Sequence, residues 1–215
     1  RDAAKPRRAH GRPVRALALD AHRRVSPARL MRESPRTTSR PMPRVRVVLT
    51  GGPGAGKTTL LEALRARGFA TVPETAREII EARRRQGLTP RPPPPHFAEE
   101  ILRQDIEKYR EDRRGDGPIF FDRSVVDALG MVDEARPLPE HALHALLAAY
   151  PYHREVFAFP PWEAIYRNDA ARDQSFDEAT RVHRAVTRWY RRCGYDVVEV
   201  PRVTVSERCE HVLGR

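Results

Sequence analysis

The chain has 215 residues and a formal net charge of +11, a length that fits one α/β domain with a tail and argues against two full domains. Residues 1–41 hold twelve Lys/Arg against three Asp/Glu, which leaves only +2 for residues 42–215, so the nearly balanced core excludes a broad nucleic-acid-binding face and no DNA or RNA partner is expected. No apolar run approaches the ~20 residues that span a bilayer, no segment has a signal-peptide layout, and the two cysteines, Cys193 and Cys209, are too few and too far apart for a disulfide framework or a zinc site, so a soluble cytoplasmic protein is expected.

Residues 1–41, rich in Arg, Pro and Ala, have no sustained period of 3.6 or 2 and read as a disordered basic leader, with Met42 as the expected initiator of a domain over 42–215. From Val45 onward strand-like and helix-like segments alternate, which predicts a parallel sheet covered by helices on both faces. Residues 45–49 predict the first strand, followed by a glycine-rich turn and a helix over 57–67 that Gly68 stops. Residues 69–72 predict a second strand and 75–86 a helix ended by Gly87. The proline run over 90–95 reads as a stiff connector, neither helix nor strand, because proline lacks an amide donor. A long amphipathic helix is expected over 97–114, with Ile101, Leu102, Ile106 and Tyr109 near one face. The buried strand 118–121 then delivers Asp122-Arg123-Ser124 to its C-terminal edge, where open α/β sheets place their ligands. Short helices over 125–134 and 139–150, a strand over 155–159, a charged lid over about 160–175, a helix over 176–192, a strand over 195–200 and a helix over 205–213 complete the pattern.

Gly51-Gly52-Pro53-Gly54-Ala55-Gly56-Lys57-Thr58 satisfies G-x-x-x-x-G-K-[ST] with a strand before it and a helix after it. That is the phosphate-binding P-loop of an ATP site, with GTP as the other candidate: backbone amides from Gly51 to Thr59 surround the phosphates, Lys57 reaches the β- and γ-phosphates and Thr58 ligates Mg²⁺. Asp122 stands where a carboxylate holds Mg²⁺ or orients an acceptor hydroxyl, or else caps the helix that follows. Its neighbour is Arg123 rather than a second acid, which disfavours a motor. Glu74, at the end of the second strand, is the candidate to orient or deprotonate an acceptor hydroxyl, with Arg77 holding anionic substrate groups; the other reading makes Glu74 a first-turn acid that serves the helix dipole. Arg167 and Arg172 are the lid cations that would spread charge over the transferring phosphoryl group. Trp162 and Trp189 read as packing residues, and no histidine shows metal-ligand spacing. A small-molecule kinase is the first reading; a nucleotide-gated regulatory module is the second.

In order, the P-loop, Glu74-x-x-Arg77-Glu78, Phe120-Phe121-Asp122, Pro161-Trp162, Val200-Pro201 and Ser206-x-Arg208 resemble the P-loop AAA-type domain family shared by NadR-type ribosylnicotinamide kinases and by eukaryotic GTP- and phosphoinositide-binding regulators. The resemblance implies a three-layer P-loop sandwich with a five-stranded parallel sheet in the order 2-3-1-4-5. It also implies ATP-dependent phosphorylation of a nucleoside-type hydroxyl with Glu74 and Asp122 on the acceptor side. Asp122-Arg123-Ser124 is similar to deoxynucleoside and thymidylate kinases, in which an Arg beside the acid holds the acceptor; this implies the same for Arg123. NadR-type kinases carry a second Asp where this chain has Ser124.

Overall fold

The computed structural model describes residues 44–111, 117–166 and 174–215, all within the unit Pro43–Arg215. The expected leader 1–41 and both lid arginines, Arg167 and Arg172, lie outside the described residues. Five parallel strands, β1 (Arg46–Gly51), β2 (Ala70–Val72), β3 (Ile119–Asp122), β4 (Glu155–Phe159) and β5 (Asp196–Glu199), form one sheet in the order β2-β3-β1-β4-β5. The helices are α1 (Lys57–Ala66), α2 (Thr75–Arg85), α3 (Pro94–Arg110), α4 (Val125–Ala135), α5 (Glu140–Ala149), α6 (Phe176–Arg192) and α7 (Val205–Leu213), with a 3₁₀ turn at Glu163–Ile165.

Alternate strand residues face opposite sides of a sheet, and a parallel sheet buries both. Accordingly Val47, Leu49, Phe120, Phe157 and Phe159 pack against Leu60 and Leu64 of α1 and Val212 of α7. The opposite face packs Val48, Phe121 and Val156 against Val125 and Leu129 of α4, Leu143 of α5 and Tyr190 of α6. A third cluster joins Ile79 and Ile80 of α2 to Phe97 and Ile101 of α3 and to Ala128 of α4. Among the described residues no helix is long and apolar enough to cross a membrane.

Several expected bounds shift, the long helix ending at Arg110 rather than at 114, and two of the shifts bear on the site. Strand β1 runs two residues past Leu49, because Gly51 still pairs with Phe159 of β4, so the first glycine of the phosphate motif belongs to the sheet. The proline run is not wholly connector: Pro94 and Pro95 open α3. The first amides of a helix have no intrahelical acceptor, so proline's missing donor costs nothing there and its fixed φ suits the turn. The start of α3 at Pro94 brings Phe97 into the core at 8% exposure.

Candidate active site

The P-loop turns between β1 and α1. Gly56 caps α1 in the left-handed region, φ 85°, without a side-chain hydrogen bond, and the first turn of α1 carries no acid. Its first amides and the positive end of its dipole are therefore directed at whatever anion approaches. Residues Pro53–Thr59 line a cavity of about 480 Å³. Gly52 is fixed by close approach: a Cβ there would lie 2.4 Å from the Ala179 carbonyl oxygen of α6. Lys57 is 5% exposed, and its Nζ donates to the Gly52 carbonyl at 3.0 Å.

Asp122 ends β3 directly across from Leu49. Thr58 Oγ1 donates to its Oδ2 at 3.3 Å, while its buried Oδ1 has no hydrogen-bond partner. Burial pushes its pKa up to about 6; the charge of Lys57 pulls it down, Glu74 raises it, and Arg123 and the Thr58 hydrogen bond lower it. An orphan carboxylate oxygen beside a threonine hydroxyl and a phosphate-shaped loop is a hard-oxygen donor set that fits Mg²⁺. Ser124, not Asp122, caps α4: its Oγ accepts from the Val126 amide at 3.1 Å.

Glu74 occupies the N-cap position of α2, yet makes no side-chain cap bond there. Its Oε1 accepts from Arg123 Nε at 2.7 Å. Arg123 is the only described non-glycine residue with positive φ, 67°, a conformation that costs about 1–2 kcal/mol. Burial lowers its pKa, and the carboxylates of Glu74, Asp127 and Asp122 more than reverse that. Arg77 pairs with Glu81 at 3.1 Å. Glu78 turns to Lys108 at 2.7 Å and lines neither cavity.

A second cavity, about 890 Å³, opens between α2, α3, α4 and α6. Its apolar wall includes Ile80, Phe97, Ile101, Met131 and Trp189, with Asp105 and Asp127 among its acids. Glu74, Arg77 and Pro53 line both cavities, Arg123 lines only the larger one and Asp122 lines neither. Trp189 packs in this wall and donates its Nε1 to the Val126 carbonyl at 2.8 Å. Trp162 lies in the wall of the smaller cavity, its ring under the Arg208 guanidinium at 4.5 Å.

Two site residues, Asp127 and Asp105, have no place in the sequence pattern, and a third, Arg208, enters it only through Ser206-x-Arg208, with no role. Asp127, 5% exposed, accepts from Thr50 Oγ1 and Tyr190 OH, both at 2.5 Å, from Ser124 Oγ at 3.2 Å and from Arg123 Nη1 at 3.5 Å. The spacing Ser124-x-x-Asp127 is a helix-start pattern that could have drawn attention to it. Asp105, 8% exposed, accepts from the Thr75 hydroxyl; burial raises its pKa to about 7 against the pull of Thr75 and Lys108. Arg208 joins the P-loop across 153 residues, and no local signal announces that.

A family model described as an AAA domain matches residues 46–208. No curated protein sequence matches the chain. The solved structure of the NadR protein in complex with NR is similar at a TM-score of 0.60 and 18% identity, over 80% of this chain and 50% of that one. Deoxyadenosine kinase from M. mycoides with bound dATP gives 0.53 at 10% identity, over 80% of this chain and 98% of that one. The YorR protein from Bacillus subtilis in complex with phosphorylated GDP gives 0.51 at 12%, over 79% and 94%. At these identities the likeness is one of fold, and this chain spans half the length of the NadR chain. The β2-β3-β1-β4-β5 sheet, the P-loop at the end of β1 and the match over residues 46–208 together make this chain a member of the AAA domain family, with the fold of the P-loop nucleoside and nucleotide kinases.

Proposed function

We propose that this protein is a Mg·ATP-dependent small-molecule kinase that transfers the γ-phosphoryl group to an acceptor of nucleoside type. The observation that carries the reading is the shared wall: Glu74 and Arg77 face both the phosphate-loop cavity and the larger one. In this reading the P-loop amides and Lys57 hold the polyphosphate, Thr58 and Asp122 hold Mg²⁺, and the acceptor lies against the apolar wall of α3 and α4. Bound Mg²⁺ would neutralise charge on the phosphate oxygens. Glu74 orients the acceptor hydroxyl and takes its proton as the new O–P bond forms and the bond to the leaving ADP breaks; Arg123 and Arg77 fix acceptor and charge. Phosphoryl transfer asks chiefly for positioning and electrostatic stabilisation. The lid arginines Arg167 and Arg172 belong to the same proposal. A reducing cytoplasm suits the free thiols Cys193 and Cys209.

The test incubates the full chain with Mg·ATP or Mg·GTP and a panel of nucleosides, nucleotides and vitamin-like alcohols, and follows diphosphate release. An acceptor should stimulate turnover, and Glu74→Gln should lower that turnover about 10²–10⁴-fold with triphosphate affinity intact. If no acceptor stimulates release, or if the variant turns over like the parent, the kinase reading fails.

A further inference from the structure

The Arg208 side chain stands in an electrostatically unfavourable place. It is 4% exposed, and burial lowers its pKa with no carboxylate acting on it. Its Nε donates to the Val203 carbonyl at 2.9 Å and its Nη1 to the Ala55 carbonyl of the P-loop at 3.3 Å. The guanidinium has five N–H donors, of which these two meet carbonyls, and no acid is in ion-pair range of it among the described residues. Trp162 covers its π-face at 4.5 Å.

A Cβ on Gly56, the N-cap of α1, would lie 2.7 Å from Arg208 Nη1, so the guanidinium abuts the positive end of a helix dipole. Cations are disfavoured there, and an uncompensated buried charge is costly. A residue serving only to tie α7 to the loop could be neutral. Arg208, Lys57 and the α1 terminus border one cavity, whose wall also carries Glu62 and Glu74, yet neither carboxylate acts on the Arg208 guanidinium.

We propose that Arg208 is a polyphosphate-binding and loop-positioning residue, a second fixed cation behind the P-loop whose charge the bound triphosphate compensates and whose stack on Trp162 keeps it there. This rests on the triphosphate-binding reading above and adds a residue to it. The chemical class recognised is a chain of phosphates, independent of any base.

Calorimetry of the full chain with inorganic tripolyphosphate and with Mg·ATP tests it. Arg208→Gln, which keeps a carbonyl-directed donor and loses the charge, should weaken both ligands about tenfold, the scale of one charge-assisted contact. Arg208→Lys should stay within about threefold of the parent. Equal tripolyphosphate affinity in a folded Gln variant and the parent overturns the proposal, and so does an equal loss in the Gln and Lys variants, since that assigns the effect to shape. A measurement without any change at Arg208 covers a variant that does not fold: in a Trp189→Phe background, tripolyphosphate should shift the emission of Trp162, and an unchanged spectrum at saturation overturns the proposal. If the parent binds neither ligand, the triphosphate reading itself is what fails.

Discussion

Thr58 makes one long hydrogen bond to Asp122, 3.3 Å, and the unshared oxygen of Asp122 is the place where a cation would complete the set. A buried carboxylate with one unmet lone-pair set is destabilising by itself, and such groups persist where a ligand meets them. Asp122→Asn keeps the shape and the Thr58 contact but removes the charge. With EDTA the parent and the variant should bind triphosphate alike; with Mg²⁺ the parent should tighten and the variant should lose about 10–100-fold of that gain, as when a ligand-shell group is removed. Calorimetry with and without Mg²⁺ checks this, and an identical Mg²⁺ response in both proteins would exclude Asp122 from the metal site. At the same scale the sequence could name Asp122 but not divide the labour of its neighbours. Whether Asp122 or Ser124 caps α4 depends on where β3 ends, and that is set by its pairing with Leu49 and the left-handed turn at Arg123, which are tertiary facts. The P-loop was legible because its glycines, lysine and threonine act through local backbone geometry. Asp127 and Arg208 act through partners 63 and 153 residues away, and no local pattern encodes those distances.

Helix α6 is the element that most directly seats the phosphate loop. A capping box, Ser175 with Glu178, fixes its start; its first buried residue, Ala179, presses its carbonyl against Gly52; Tyr190 then reaches Asp127 under α4. A methyl group at Gly52 must move either the loop or the helix backbone, and overpacking of this kind costs about 1–3 kcal/mol or more. Gly68 offers the contrast. It follows the end of α1, where nothing lies within 4 Å of a Cβ and only its φ of +91° resists alanine, at about 1 kcal/mol. Gly52→Ala should therefore lower the urea midpoint more than Gly68→Ala and should abolish triphosphate binding, while Gly68→Ala keeps it. Equal midpoints and equal binding would mean that α6 does not hold the loop. The helix pattern itself was readable: the bounds of α6, α7 and β4 agree with those expected from period and caps, because amphipathic stripes and cap residues are local. The start of α3 was misread at Pro94 and Pro95, since a run of prolines signals a connector until a helix that packs Phe97 and Ile101 against α2 recruits its end.

Across the whole molecule, Asp105 makes stability depend on pH in the reverse of the usual carboxylate sense. It sits between α2 and α3 under the Thr75 hydroxyl, with Lys108 lowering and Asp127 and Glu74 raising a pKa that burial has already moved to about 7. An unfolded chain releases this proton near pH 3.9. Between about pH 4 and pH 7 the folded state therefore holds a proton the unfolded state has lost, so stability falls as pH rises through that window and levels off above it, by about 1.4 kcal/mol per unit of pKa difference. Asp122, raised to about 6, tilts the curve the same way but only up to its own pKa. Asp105→Asn keeps an acceptor for Thr75 and removes the titration. Its stability should match the parent at about pH 4 and below, and exceed it by a growing margin up to a few kcal/mol at pH 8, with the remaining slope confined below about pH 6. Urea unfolding at pH 5, 6, 7 and 8 reads this directly. A parent that gains stability from pH 5 to pH 8, or a variant that keeps the parent's slope between pH 6 and pH 7, would show that Asp105 is ionised in the folded protein and that the floor of the larger cavity carries a full negative charge, which would call for a cationic group on the acceptor.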